Sequence, residues 1–188
     1  KGGHTPLVEL LLSRHAEVDL YDERGASALM YAAASGHAVA LQVLCLFGAS
    51  VECAQRDGIT PLMAGATGGH VEAVQALVGN GADVNAGLAN GATALMGATK
   101  GGHVGAVESL LAHGAKVDAT MAGGLTALMA AAQGGHAHVI ALLLAYGAQV
   151  RLRSVDGATA LMRARANGHV EVAEQLVAAG AEGRRPVR

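Results

Sequence analysis

The sequence predicts an all-α solenoid of stacked helix–turn–helix units joined by hairpin-like loops. Three markers, Gly-His, Leu-Met and Gly-Ala, each recur every 33 residues without an insertion or deletion. Markers that keep one register along the chain indicate a repeat architecture. One Phe, three Tyr and no Trp in 188 residues are also a poor basis for a single large core. The Gly-His pairs begin at Gly3, Gly36, Gly69, Gly102, Gly135 and Gly168.

The unit from Gly58 to Ala86 shows how the local sequence specifies two helices. Thr60 is a natural N-cap, and Pro61 follows at a position where its missing N–H costs nothing. Apolar residues at helical spacing predict a second helix that starts from His70. Gly81 is expected to end that helix, and the Gly-, Asn- and Asp-rich stretch 82–91 predicts a hairpin-like turn into the next unit.

This pattern resembles the ankyrin repeat over nearly the whole chain. The family's G-A-D-V-N-A motif is intact from Gly81 to Ala86, and five segments are similar to its T-P-L-H-x-A-A motif. Met replaces the motif His in all five. The resemblance implies the same fold. It also implies that the polar cross-link which the family's His makes between neighbouring loops is lost, that the adaptable Met side chain packs in its place, and that the array is less rigid. The five segments begin at Ser27, Thr60, Thr93, Thr126 and Thr159.

We expect a single repeat domain over residues 1–183 and a basic tail over residues 184–188. The domain is expected to comprise one partial repeat and five full ones, the last of which caps the array. Their ranges are 1–24, 25–57, 58–90, 91–123, 124–156 and, for the C-terminal capping repeat, 157–183.

The two ends of the array are expected to differ. Arg165 stands where the other full repeats have a small residue, so a seventh repeat could not pack closely against this one. The C-terminal end is therefore expected to be polar and exposed to solvent. The chain starts within a first helix that is otherwise absent, and the leucines that follow are expected to expose apolar surface. We therefore expect the native protein to continue upstream, or another subunit to cover this end. Those leucines are Leu7, Leu10, Leu11 and Leu12.

Composition excludes several classes of function. Thirteen Lys and Arg against 15 Asp and Glu give a formal charge of −2, which provides no basic field for nucleic acid. Residues 119–150 carry no charge but are interrupted by Gly pairs and Gln133, which argues against membrane insertion. Cys45 and Cys53 cannot form a disulfide framework. The sequence does not distinguish the cytoplasm from an organelle, and the cysteine content favours a reducing compartment.

No catalytic, cofactor or metal site is predicted. No Ser or Cys has a recognisable nucleophile motif, and no Gly-rich segment has phosphate-loop spacing. The Gly-His histidines could suggest metal binding, but equivalent helices lie roughly 10 Å apart whereas zinc ligands lie about 2 Å from the metal. We therefore expect these histidines to cap helices, and Cys45 to be a buried, inert thiol.

The resemblance implies that a partner binds on the concave side, through the hairpin tips and the exposed positions of the first helices. Charge is concentrated at the first two tips, and the uncharged fifth repeat is our candidate for the interface centre, although an Ala-rich helix needs no charge. Phe47 and Tyr146 share one repeat position and are candidate aromatic anchors. An apolar cluster at Val39, Leu46 and Phe47 is either a second contact surface or local packing. The predicted partner-binding residues are Arg24, Phe47, Arg56, Ile59, Lys100, Met121, Leu125 and Tyr146.

We predict a non-catalytic scaffold or adaptor that binds a peptide or a folded subunit as part of a hetero-complex. The alternative is a targeting or regulatory domain of a longer enzyme or channel whose active part lies N-terminal to Lys1. An engineered ankyrin binder is a third interpretation, disfavoured because the units vary at framework positions.

Overall fold

The computed structural model describes residues 4–181, which contain eleven helices and one pair of short strands. Helix α1 (Thr5–Ser13) is followed by five helix pairs. The first helices of the pairs are α2 (Ala28–Ala34), α4 (Pro61–Thr67), α6 (Ala94–Lys100), α8 (Ala127–Gly134) and α10 (Ala160–Ala166). The second helices are α3 (Ala38–Leu46), α5 (Val71–Gly79), α7 (Val104–Ala112), α9 (Ala137–Ala145) and α11 (Val170–Ala178). The predicted all-α repeat fold is confirmed, whereas the predicted tail at 184–188 lies outside the described residues.

The helices pack in two rows. The first helices contact one another in chain order, and α1 joins the row of second helices by packing against α3. Each first helix also packs against its own second helix, which buries a continuous core of Leu, Ala and Val between the rows. A helix pair has too little apolar surface to bury alone, so each unit depends on its neighbours. None of the helices in residues 4–181 combines the length and apolar character needed to cross a bilayer.

Hairpin tips connect the units, and we number them 1 to 5 by their residues: 22–26, 55–59, 88–92, 121–125 and 154–158. Tip 4 contains the only ladder in the described part of the chain, in which β1 (Thr120–Met121) pairs antiparallel with β2 (Leu125–Thr126). The other tips close through one backbone hydrogen bond between their end residues, such as Gln55 N–H to the Ile59 carbonyl at 2.9 Å. The hairpin-like turns are therefore present, mostly without regular strands.

The predicted N-caps are confirmed. The Thr60 hydroxyl accepts a hydrogen bond from the Met63 N–H at 3.3 Å, and Pro61 is the first residue of α4. The Ser or Thr that precedes each of the other first helices makes the same contact. The Met that donates this N–H has a buried side chain in four of the five units. Met thus fills the apolar space at the position of the family's His.

Polar contacts still link neighbouring loops, although the motif His is absent. A side-chain oxygen after each of α1, α3, α5 and α7 accepts the backbone N–H of the residue 31 positions later, as between Glu52 and Asp83 at 2.7 Å. Adjacent tips are also joined by backbone hydrogen bonds at three boundaries, from Arg56 N–H to the Arg24 carbonyl, from Ala122 to Asn90 and from Val155 to Gly123. The remaining side-chain links join Asp19 to Ser50, Asn85 to Lys116 and Asp118 to Gln149.

The Gly-His histidines do not cap their helices through their side chains, which corrects the prediction made for them. His103 occupies the N-cap position of α7 but makes no side-chain cap hydrogen bond. Its Nε2 lies 3.0 Å from the Thr67 carbonyl at the end of the preceding unit's first helix. The ring nitrogen therefore pairs with a backbone carbonyl that the end of α4 leaves without a helical partner. The same bond joins His70 to Ala34, His136 to Lys100 and His169 to Gln133.

A glycine of the preceding unit makes room for each of these rings, and a second glycine two residues before the histidine does so for three of the four; Asn167 occupies that second position before His169. A Cβ on Gly69 would lie 2.5 Å from Nδ1 of His103, and a Cβ on Gly101 would also collide with that ring. Gly69 in addition has a φ of +72°, which favours glycine. The glycine of the preceding unit is therefore a steric requirement of the bond between units, whereas the glycine two residues before the histidine is not, because His169 makes the same bond with Asn167 at that position.

Two other expectations need correction. Leu7, Leu10 and Leu11 are each about half exposed as predicted, but Leu12 is buried because it lies on the face of α1 that packs against α3. Cys45 is only partly buried, and that burial raises the pKa of its thiol. The fully buried cysteine is Cys53, whose Sγ lies 3.2 Å from the Ser27 hydroxyl.

Replacing Thr99 with Val is expected to stabilise the fold. Thr99 has no exposed surface, and its hydroxyl has no hydrogen-bond partner among residues 4–181. Val keeps the shape and removes the unsatisfied group, so Thr99→Val should raise the free energy of unfolding by about 1 kcal/mol. Urea denaturation measures the change, with the exposed Thr67→Val as the control. A lower stability for Thr99→Val would show that the buried hydroxyl is paired.

Gly69→Ala is expected to destabilise the fold more than Gly168→Ala. Both glycines have positive φ, at +72° and +76°, but no atom lies within 4 Å of a Cβ on Gly168. The backbone strain costs roughly 1–2 kcal/mol at both sites, and the collision with His103 adds about 1–3 kcal/mol at Gly69 alone. Urea denaturation of both variants, and of Gly69→Ala combined with His103→Ala, measures the coupling. Equal losses, or a coupling energy of zero, would contradict this account of the glycine in the preceding unit.

Candidate protein-interaction groove

Two adjoining cavities form one groove between the first helices and the hairpin tips. The first has a volume of about 340 Å³ and runs from Ala34 across α4 to tip 3. The second has a volume of about 630 Å³ and runs from α6 across tip 4 to α8. Ala92 and Gly97 line both cavities, which makes them continuous. We refer to the two cavities together as the groove.

The floor of the groove is open because one repeat position carries a small residue in the middle units. Ala64, Gly97 and Ala130 share this position in α4, α6 and α8, and all three line the groove. Beside them lie the buried thioethers of Met63 and Met96, the residues that replace the family's motif His. The walls are apolar side chains from tips 2, 3 and 4, namely Ile59, Leu88, Met121 and Leu125.

At the N-terminal end, the same repeat position carries Tyr31. Its hydroxyl donates a hydrogen bond to Oδ2 of Asp22 in tip 1 at 2.8 Å. The Ala26 N–H and the Tyr31 hydroxyl, both donating to the carboxylate, lower the pKa of Asp22. The same hydrogen bond raises the pKa of Tyr31. This large side chain, held against its own tip, stands where the middle units have only Ala or Gly.

At the C-terminal end, the repeat position carries Arg163. Its Nη2 lies 3.1 Å from Oδ2 of Asp156 in tip 5 and 3.0 Å from the buried Ser154 hydroxyl. Ser154 also donates a hydrogen bond to Asp156. That bond is the main cause of the lowered pKa of Asp156, followed by the Ala158 N–H, and the Arg163 charge contributes less. In the units at both ends, this repeat position thus carries a large side chain bonded to an acidic residue of its own tip.

Lys100 is the only ionisable residue that lines the groove in the described part of the chain. It is exposed in the last turn of α6, and its ammonium makes no hydrogen bond or ion pair with residues 4–181. Uncharged polar side chains complete the lining and offer donors and acceptors to a ligand backbone. They are Gln55, Thr67, Thr93, Thr126 and Gln133.

The structure divides the predicted partner-binding residues between two surfaces. Four of them line the groove, and Arg24 and Arg56 are exposed on the neighbouring tips 1 and 2. Phe47 and Tyr146 do not line it, because they are the half-exposed C-caps of the second helices α3 and α9. The four residues brought together in the groove are Ile59, Lys100, Met121 and Leu125.

The apolar cluster on α3 is largely exposed. Val39 is 63% exposed, Leu46 is 84% exposed and Phe47 is 46% exposed. Leu46 and Phe47 also line a shallow cavity with Leu10 of α1. These residues form a second apolar surface on the row of second helices.

Sequence reasoning missed the contribution of Met63, Met96 and Leu88 to the groove. The signal was present in the Leu-Met marker, because Met where the family has His makes the floor more apolar. The repeat position of Ala64, Gly97 and Ala130 was a further signal, since its size changes at both ends of the array. Comparing that position between units would have identified the middle of the groove.

The groove is suited to non-covalent binding of an apolar ligand. Its lining contains no carboxylate, imidazole or thiol that could serve as a general base or a nucleophile. Across residues 4–181, no three side chains of the His, Cys, Asp or Glu type are grouped so that they could hold a metal ion.

The chain is similar to a known family of repeats. The family model for ankyrin repeats matches it in three overlapping copies, at residues 1–87, 40–121 and 95–186. No curated protein sequence matches the chain.

Ser154→Ala is expected to raise the pKa of Asp156 towards its ordinary value, because the Ser154 hydroxyl donates the bond that lowers it most. Since the pKa of Asp156 is lower in the folded chain than in the unfolded chain, its ionised form stabilises the fold above the unfolded pKa. That contribution is lost as the pH falls through the folded pKa. An NMR titration of the Asp156 side-chain carbon in wild type and variant measures both pKa values. Identical values would show that another group lowers the pKa.

Proposed function

The chain belongs to the ankyrin repeat family, whose repeats are protein–protein interaction modules, and we propose on that premise that it is a non-catalytic scaffold or adaptor. It binds a partner protein through the groove and the adjoining hairpin tips. The observation that carries this proposal is the groove itself, with Met121 and Leu125 partly exposed on its wall. Apolar side chains that line a preformed cavity favour binding of a complementary surface at a small ordering cost.

The tips support a preformed groove. The backbone bond between tips 3 and 4 fixes the two walls that carry Leu88 and Leu125 relative to each other. The His bonds fix the first helices that make the floor. A rigid groove loses little conformational entropy on binding, so a few apolar anchors suffice for specific recognition.

The second apolar surface supports a place in a larger hetero-complex. Leu46 and Phe47 lie on the row of second helices, away from the groove. A contiguous exposed apolar patch is typical of an interaction site. A chain with one apolar surface on each row can bridge two partners, which is the role of a scaffold. Its formal charge of −2 and single groove cation favour protein over nucleic acid as the partner.

Native mass spectrometry of the endogenous protein tests the proposal. The proposed scaffold predicts an assembly in which the chain has a stoichiometric protein companion. Dissociation in the gas phase then gives the mass of that companion. A protein that runs alone at every concentration measured would contradict the scaffold role.

Leu125→Glu is expected to weaken binding of the companion, because it places a charge on the apolar wall of the groove. The loss should be about tenfold or more in Kd, since an unpaired charge at a desolvated contact costs more than 1.4 kcal/mol. Leu46→Glu is the matched control on the second apolar surface. Calorimetric titration of both variants, with folding verified by circular dichroism, measures the effect. Unchanged binding by Leu125→Glu would remove the groove from the contact, and a loss with Leu46→Glu alone would move the contact to α3.

A further inference from the structure

We infer that the groove takes an extended segment of the partner protein, apolar apart from one carboxylate that lies against Lys100. This inference rests on the proposed function and adds the chemistry of the bound segment. Three features carry it: the length of the groove, its apolar lining, and its single unpaired charge.

The groove has the length and depth of an extended peptide. It crosses the first helices α2, α4, α6 and α8, and steps of roughly 10 Å between them give a length of about 30 Å. An extended chain that rises about 3.3 Å per residue crosses that length in about nine residues. Gly97 and the two alanines at its repeat position let a ligand backbone approach the floor. The Tyr31–Asp22 and Arg163–Asp156 pairs occupy the position beyond each end.

The lining selects apolar side chains. Met63 and Met96 on the floor and Met121 on the wall are unbranched thioethers that adapt their shape to an apolar partner. The polar groups that remain, such as Gln55 and Gln133, are uncharged amides that pair with a peptide backbone. A charged segment would lose its hydration along most of this length without gaining a partner.

Lys100 is the reason that we expect one carboxylate in an otherwise apolar segment. The large side chains at the same repeat position in the flanking units already have polar partners, because Arg163 pairs with Asp156 and the Tyr31 hydroxyl donates to Asp22. Lys100 lines the deeper cavity without a partner among residues 4–181, between Gly97 and Gln133. A carboxylate on the ligand forms an ion pair with the Lys100 ammonium, whereas a cationic group at the same place is repelled by it.

Peptide display tests the inference. The full chain is immobilised, and a library of random peptides about 12 residues long is selected against it, a length that exceeds the groove by a few residues. We expect the enriched peptides to share one Asp or Glu between apolar residues. The best peptide is then synthesised with Glu, Gln or Lys at that position and with a free or amidated C-terminus. These forms distinguish a side-chain carboxylate from a terminal one.

Charge exchange assigns the carboxylate to Lys100. Lys100→Glu is expected to weaken the Glu peptide about tenfold and to bind the Lys peptide better than wild type does. Lys116→Glu is the matched control, because Lys116 is exposed in the loop after α7 and does not line the groove. Fluorescence anisotropy with labelled peptides measures each Kd. Equal loss in both variants would show only a change of net charge and would overturn the pairing with Lys100.

The remaining outcomes separate this inference from the proposed function. Enriched peptides without an acidic residue would overturn the inference, and so would peptides that bind Lys100→Glu as tightly as wild type. The groove would still be the binding site if Leu125→Glu removed the binding of those peptides. Peptides that bind Leu125→Glu as they bind wild type would count against the groove itself. A selection that enriches no peptide would overturn an extended segment as the ligand, and native mass spectrometry would still decide whether a folded companion binds.

Discussion

The bond from four of the Gly-His imidazoles to the carbonyl 36 residues earlier is the contact on which the architecture depends. It repeats at four boundaries, at 3.0 or 3.1 Å each time. It satisfies a carbonyl at the end of a first helix and ties that helix to the next unit. Glycine is needed in the preceding unit because a Cβ there would meet the ring. One steric condition therefore accounts for the glycine of each Gly-His pair that precedes a bonded histidine.

The groove is a consequence of the spacing of the first helices and of one variable position. The His bonds hold the first helices in a regular row, so the size of the residue at the position of Gly97 decides whether the row is open or filled. Three small residues open the middle of it, and the flanking units carry the larger Tyr31 and Arg163 at the same position. The same repeat framework thus gives a cavity in the middle units, and the replacement of the motif His by Met makes its floor apolar.

The fold could be predicted almost completely from the sequence, and the site only in part. The period, the Ser and Thr caps and the helix ends are local properties, which the residues within one unit determine. The direction of the His ring is not local, because it depends on space that a glycine in the preceding unit leaves free. Which residues line the groove is also decided by contacts between distant parts of the chain. Leu125 and Phe47 look equally suitable as anchors in sequence, but Leu125 lies on a tip that lines the groove and Phe47 ends a second helix. Leu12 was misassigned because the face of α1 that meets α3 cannot be identified from four leucines within six positions.

The backbone bonds between tips give the solenoid an uneven mechanical compliance. Tips 1 and 2, 3 and 4, and 4 and 5 are joined, but no backbone bond joins tip 2 to tip 3 within the described residues. At that boundary the link between loops passes through the Glu52 side chain alone. Side-chain links stretch and rotate more readily than paired backbones, so bending of the array concentrates there. Because Ile59 and Leu88 face each other across this boundary, bending would change the width of the groove at one end while the wall around Leu125 kept its shape.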